Sequence, residues 1–292
     1  MSVRFAVGIA LNVIYIVIEG SYGYLTGSLA LIADAGHNLG DVLALMTSWF
    51  ALYLCTLRPG GKKTYGYRRS SILAALFNSA LLLVAAALIA AEAVQRFFTP
   101  REVPGTEIMI VAGIGILLNF ATALLFYRGK EHDLNIKGAY LHMMADALVS
   151  VSVVASGFVM YQWNIYILDP IISLVIVAVI IYSTWGVLRD SLNLAMDFVP
   201  EKINLTEVRG FLLSITGVTE LHDLHIWAMS TTETALTVHL VMPDAATDDK
   251  LLADICGDLK KLFGIAHSTI QIEKGNDAHP CSLNTSHASQ KA

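Results

Sequence analysis

Ala33–Trp49 reads ADAGHNLGDVLALMTSW. It sets Asp34, His37, Asn38 and Asp41 inside a long apolar run. A run of this length predicts a membrane helix, since roughly 20 apolar residues cross the hydrocarbon of a bilayer. Ionisable groups are costly there and mark function by default. His37 and Asp41 are four positions apart, so on a helix they share one face, a turn from each other. The device then recurs. Tyr140–Ser150, YLHMMADALVS, carries His142 and Asp146 at the same spacing in another apolar run.

Taken once, such a pair is either helix glue through local hydrogen bonds or a pair of ligands. Its repetition favours ligands. Two helices that each offer an imidazole and a carboxylate supply four donors, the set and number of tetrahedral zinc. Both donor types must lose protons to bind metal. Imidazole titrates near neutrality, so metal release can be coupled to a proton gradient. Four protein ligands close the coordination shell, whereas a zinc hydrolase keeps a position open for water and needs a general base. H-E-x-x-H is absent, so the chain is read as no enzyme. A phosphate loop G-x-x-x-x-G-K-[ST] is absent too, which points away from ATP as the driving force.

Composition agrees with a membrane protein. Of 292 residues, 55% are hydrophobic and 15% charged, and the mean hydropathy is +0.60. Soluble domains carry about 25% charged residues. The net charge of −5 is modest, and no basic cluster is dense enough for nucleic acid. Cys55, Cys256 and Cys281 are scattered and odd in number, so no disulfide framework is expected and a reducing cytosol suits the soluble part. Arg4 precedes an apolar run to Leu25, but that run is long for a cleaved signal peptide.

Six apolar segments are expected to span the membrane: Val3–Leu25, Leu29–Leu57, Ser70–Phe97, Glu107–Tyr127, Leu134–Tyr161 and Tyr166–Arg189. The connection RPGGKKTYGYRRS between the second and third holds Arg58, Lys62, Lys63, Arg68 and Arg69. The connection after the fourth holds Arg128, Lys130 and Lys137, and Arg189 and Lys202 follow the sixth. The opposite connections hold only Arg96 and Arg101. Both termini are therefore expected in the cytoplasm. Tyr22, Tyr24, Phe97, Phe98, Tyr161, Trp163 and Tyr166 form an aromatic belt on the far side.

Hydropathy changes at Pro200. Leu205, Val208, Leu212 and Ile215 predict a helix, and Leu251, Ile255, Leu259 and Leu262 a second. His222–Met229, Thr234–Met242 and Ser268–Glu273 alternate as strands, with Leu236, Val238, Leu240 and Met242 on one face of the middle one. The predicted fold is membrane α-helical, with six transmembrane helices followed by a cytosolic α+β domain of order α-β-β-α-β. The divisions are residues 1–199 for the membrane transport domain, 200–274 for the cytosolic domain, and 275–292 for a disordered polar tail.

The quoted motifs identify a family. SLALIADAGHNLGD, TYGYRRSSILAALFN, NIKGAYLHMMADALVS, the Leu168-Asp169-Pro170 step, and GVTELHDLHIWAMS with TVHL resemble a cation diffusion facilitator of the zinc-type cobalt–zinc–cadmium efflux group. The resemblance runs from about Ala10 to Glu273. It implies proton-coupled Zn²⁺ efflux from the cytoplasm by a homodimer in the bilayer, with a ferredoxin-like cytosolic domain that binds metal and packs across the dimer. It implies His37, Asp41, His142 and Asp146 as the transport site, with His37 favouring zinc over cadmium. It also matches His222 and His239 to cytosolic zinc ligands. The last-strand positions, a His and an acid in relatives, hold Gln271 and Glu273 here, and Cys281 is a candidate substitute. Arg69 and Asp197 match a charge pair between the third and sixth spans that holds the dimer's hinge. The short loop with only His132 favours a bacterial inner-membrane protein, and GGKKTYGYRRS lacks the His and Asp of a loop metal site.

Other polar residues admit two readings. Asp34 either orients His37 or makes a hydrogen bond at the helix mouth. Glu19 and Glu92 are read as wet near the far-side ends, and Asn119 as packing glue. His225 and His267, like His222 and His239, are each either ligands or ordinary strand residues. The functional alternative is a membrane zinc sensor that signals through its cytosolic domain without transport.

Overall fold

A computed structural model describes residues 3–99, 101–127, 134–243 and 249–275. The tail beyond 275 with Cys281, the connection with His132, and the side chain of His142 lie outside the described residues. Six long helices come first: α1 (Val3–Thr26), α2 (Leu29–Thr56), α3 (Ser70–Phe98), α4 (Gly105–Tyr127), α5 (Leu134–Trp163) and α6 (Leu168–Ala195). Four of them, α3 to α6, are long and apolar enough to cross a membrane, among the described residues. Then follow α7 (Leu205–Ser214), β1 (Glu220–Ala228), β2 (Thr234–Val241), α8 (Asp249–Phe263) and β3 (Ile265–Glu273). The α-β-β-α-β order is the expected one.

The chain divides into two compact units, residues 1–49 with 77–188, and residues 50–76 with 189–292. In the first, Leu31, Ala33, Ile108, Val111, Val153 and Ile180 belong to one buried core. Outside that core, large apolar side chains such as Val17, Leu117 and Leu148 are exposed, as lipid-facing positions are. Glycine sets the spacing of α4 and α5. A Cβ on Gly105 would run into the Gly157 carbonyl and the Tyr161 amide of α5, so backbone meets backbone there. Gly115 of α4 likewise leaves room for the buried Tyr15 ring of α1.

Asp169 starts α6 and is fully buried. It accepts hydrogen bonds from Ser28 Oγ at 2.6 Å, Leu29 N at 2.8 Å and Ala30 N at 3.2 Å. Those amides open α2, so a carboxylate from 140 positions away caps that helix. Arg96, counted above with a far-side connection, is instead buried beside this carboxylate, with Nη1 3.6 Å from Asp169. It also donates to the Gly27 carbonyl and to Glu92, at 3.2 Å for the latter.

In the second unit β2 lies in the middle, antiparallel to β1 and parallel to β3. Leu236, Val238, Leu240 and Met242 are all buried, as their alternation requires. Val208 and Leu212 of α7 and Ile255 and Leu259 of α8 complete the core. Asn204 caps α7 by accepting from Thr206 N and Glu207 N. Leu262 corrects one expectation: it is exposed, and Phe263 packs inward in its place. Arg69 pairs with Asp197 at 2.5 Å, as the resemblance implied, with both side chains about half exposed. A second tether joins the α2–α3 connection to the β1–β2 turn. Arg68 meets Glu233 at 2.7 Å and Ser71 Oγ accepts from Thr231 N at 3.1 Å.

Candidate metal centre

The first unit brings together three of the four residues singled out in the apolar runs. His37 Nε2 lies 3.9 Å from Asp41 Oδ2 on its own helix and 3.6 Å from Asp146 Oδ1 on α5. One donor atom from each falls within 4.8 Å of the other two. A tetrahedron with metal–ligand bonds of about 2.0–2.2 Å has edges of about 3.3–3.6 Å. The observed separations are close to that before any metal draws the groups in. His37 and Asp146 are buried, and Asp41 is partly open. The helix supplies the geometry, because a four-residue step stacks His37 over Asp41. His142 falls one turn before Asp146 on α5.

The surroundings correct one reading of the sequence. Glu19 is not wet: it is fully buried. It accepts from the Tyr15 hydroxyl at 2.6 Å and from Asn38 Nδ2 at 3.4 Å. Asp34 is buried as well, and its Oδ2 accepts from Ser150 Oγ of α5 at 3.2 Å. Glu92 is partly exposed and paired with Arg96. Asn119 is buried, with Nδ2 unpartnered among the described residues.

The second unit holds another cluster, built by strand register. His222 of β1 is opposite His239 of β2, and their ring centroids are 5.2 Å apart. His239 is opposite Gln271 of β3, and Glu273 follows two residues on, on the same face. Glu273 Oε1 is 2.8 Å from His239 Nδ1, and Oε2 is 3.3 Å from His222 Nε2. These three can hold a metal ion. Gln271 donates to Glu273 at 2.9 Å, so it steadies the acid rather than adding a donor.

The other two described histidines of this unit have different partners. His225 is bonded to Asp223 at 2.9 Å, and His267 stands edge-on to Tyr65. Asp223 escaped the sequence reading. A register shift between His222 and His225 and a φ of 52° at Asp223 bring its Oδ2 to 3.6 Å from His239 Nε2. A two-residue alternation gives no sign of that bulge.

Residues 5–194 match the cation efflux transmembrane domain, and residues 200–275 match the cation efflux protein cytoplasmic domain. The chain therefore belongs to the cation efflux (cation diffusion facilitator) family and is a transporter of the membrane, not an enzyme. Among its relatives is a cadmium, cobalt and zinc/H(+)-K(+) antiporter of Bacillus subtilis (strain 168), 34% identical over 91% of this chain and 86% of that protein. Another is the zinc transporter ZitB of Yersinia pestis, 34% identical over 97% of this chain and 91% of the relative. A solved structure, the metal-bound C-terminal domain of the CzcD transporter from Cuprividus metallidurans, covers 24% of this chain and 99% of that one. It has 40% identity and a TM-score of 0.22.

Proposed function

We propose that this chain exports Zn²⁺ from the cytoplasm in exchange for protons. The observation that carries the reading is the meeting of His37, Asp41 and Asp146, from two helices, inside the membrane unit. His142, a turn before Asp146, is the fourth ligand in this reading. The relatives named as zinc transporter and zinc/H(+)-K(+) antiporter support the substrate and the exchange. Zinc binds when the imidazoles are neutral and the carboxylates ionised. Protons arriving from the far side neutralise the carboxylates, charge the imidazoles and displace the metal. Six spans with cytoplasmic termini, in a bacterial inner membrane, give the site access to each side in turn. Residues 1–199 move the ion. Residues 200–274 join two chains as a homodimer.

Purified protein in liposomes tests this. Zinc moved down its gradient should be accompanied by protons moving the other way, followed with a zinc dye and a pH dye. Zinc bound by the protein with no flux would favour a sensor instead.

The cytosolic cluster is a second zinc site in this reading, held by His222, His239 and Glu273, with Cys281 as the fourth donor. Its geometry makes His239 the central group, since it touches Glu273 on one ring nitrogen and approaches Asp223 with the other. His239→Ala should lower the zinc bound per chain by about one ion, counted by metal analysis of purified protein. An unchanged count would remove this site.

A further inference from the structure

The buried acids beside the metal centre have a different chemistry from its ligands. Glu19 meets Asp34 across the contact of α1 with α2. Neither has exposed surface. Asp34 Oδ1 is buried and has no hydrogen-bond donor among the described residues, although Oδ2 has Ser150. The titratable groups facing Glu19 are Tyr15 on its own helix and Asp34 on α2. Asp34 in turn faces His37 and Asp146. Two further helices reach α1 at Tyr15: α4 at Gly115, whose one acid, Glu107, is more than two turns away, and α5 through Ser150, one turn beyond Asp146. Among the described residues no lysine or arginine balances Glu19.

Two touching carboxylates in a dry interior repel strongly, and a buried oxygen without a donor adds its own desolvation cost. One proton cures both faults: it removes one charge and supplies the absent donor. The donorless oxygen of Asp34 is where such a proton would be shared.

We propose that Glu19 is a proton carrier of this transporter, holding a proton against Asp34 while the metal centre is empty and losing it when zinc binds. The inference rests on the zinc–proton exchange reading. Glu19 is neither a neighbour in the chain of the proposed ligands nor bonded to them, yet it is wired to both helices that carry them. Asn38, which donates to Glu19, directly follows His37. Ser150, which donates to Asp34, lies one turn beyond Asp146. Entry of a divalent cation favours ionised acids nearby. The Glu19 O–H bond then breaks, the proton leaves to water, and Tyr15 and Asn38 hold the resulting carboxylate. When zinc leaves, a proton from the far side re-forms the bond.

The test uses the whole protein in detergent and in liposomes. Protons released per zinc bound are counted with a pH dye in weak buffer. Infrared difference spectra record the carbonyl band of protonated carboxylic acids. Wild type should lose such a band on zinc binding. Glu19→Gln, nearly the same shape, should release about one proton fewer per zinc and lack that change, with zinc affinity kept within about tenfold. An unchanged proton count in Glu19→Gln overturns the proposal. So does a wild-type spectrum with no zinc-sensitive carboxylic band, a measurement that needs no variant to fold. Wild-type liposomes that bind zinc but exchange no protons would remove the transport reading itself. Exchange in wild type with an unchanged count in Glu19→Gln would remove only the role of Glu19.

Discussion

Asp146→Asn should cut zinc flux at least about 100-fold while leaving the protein folded in the membrane. Even groups that only orient a metal ligand cost about 10–100-fold when removed, and a donor itself costs no less. Asp146 is almost wholly buried, and its Oδ1 stands 3.6 Å from His37 Nε2. The amide has the same shape, so packing of α5 is kept. It cannot carry the negative charge that offsets a divalent ion, and its oxygen is a weak zinc donor. What remains in this reading is His37 with Asp41 on α2 and His142 on α5, one carboxylate short of the charge that balances the ion. Flux in liposomes and zinc binding in detergent should fall together. Flux near that of wild type would mean the ion takes another route.

Asp169→Ala should be the most destabilising single change in the first unit, by about 3–5 kcal/mol, read as a lowered unfolding temperature in detergent. The substitution leaves the buried Arg96 without its nearest deeply buried acid. It also strands Ser28 Oγ and the Leu29 and Ala30 amides, each worth about 1–3 kcal/mol if left unmade. Arg69→Ala serves as the contrast. Its ion pair with Asp197 is shorter, but both partners are about half in solvent, so its loss should cost at most about 1 kcal/mol. Equal effects from the two changes would mean that burial does not set the value of these charges here.

The meeting of His37, Asp41 and Asp146 was legible because the cost of such residues betrays them. Charge inside an apolar run demands a reason, and a repeat at helical spacing supplies one. The small domain was legible for a similar reason, since alternation in β2 and helical spacing in α7 each name a buried face. What stayed hidden depends on partners far along the chain. Hydropathy alone placed Glu19 near a wet end, whereas its burial comes from Tyr15, Asn38 and Asp34 closing around it. Asp169 was legible only as part of a motif, because its task as a cap exists only once Ser28 and Leu29 arrive beside it. Asp223 reaches His239 through a bulge, and helical spacing alone did not tell Leu262 from Phe263 as the last inward residue of α8.

The close crossing at Gly105 and Gly157 bears on how the proposed exchange would open. Main chain lies against main chain there, so a side chain at either glycine would wedge α4 and α5 apart. If zinc is released by parting Asp146 from His37, this seam favours a stroke in which α4 and α5 travel together as one paddle.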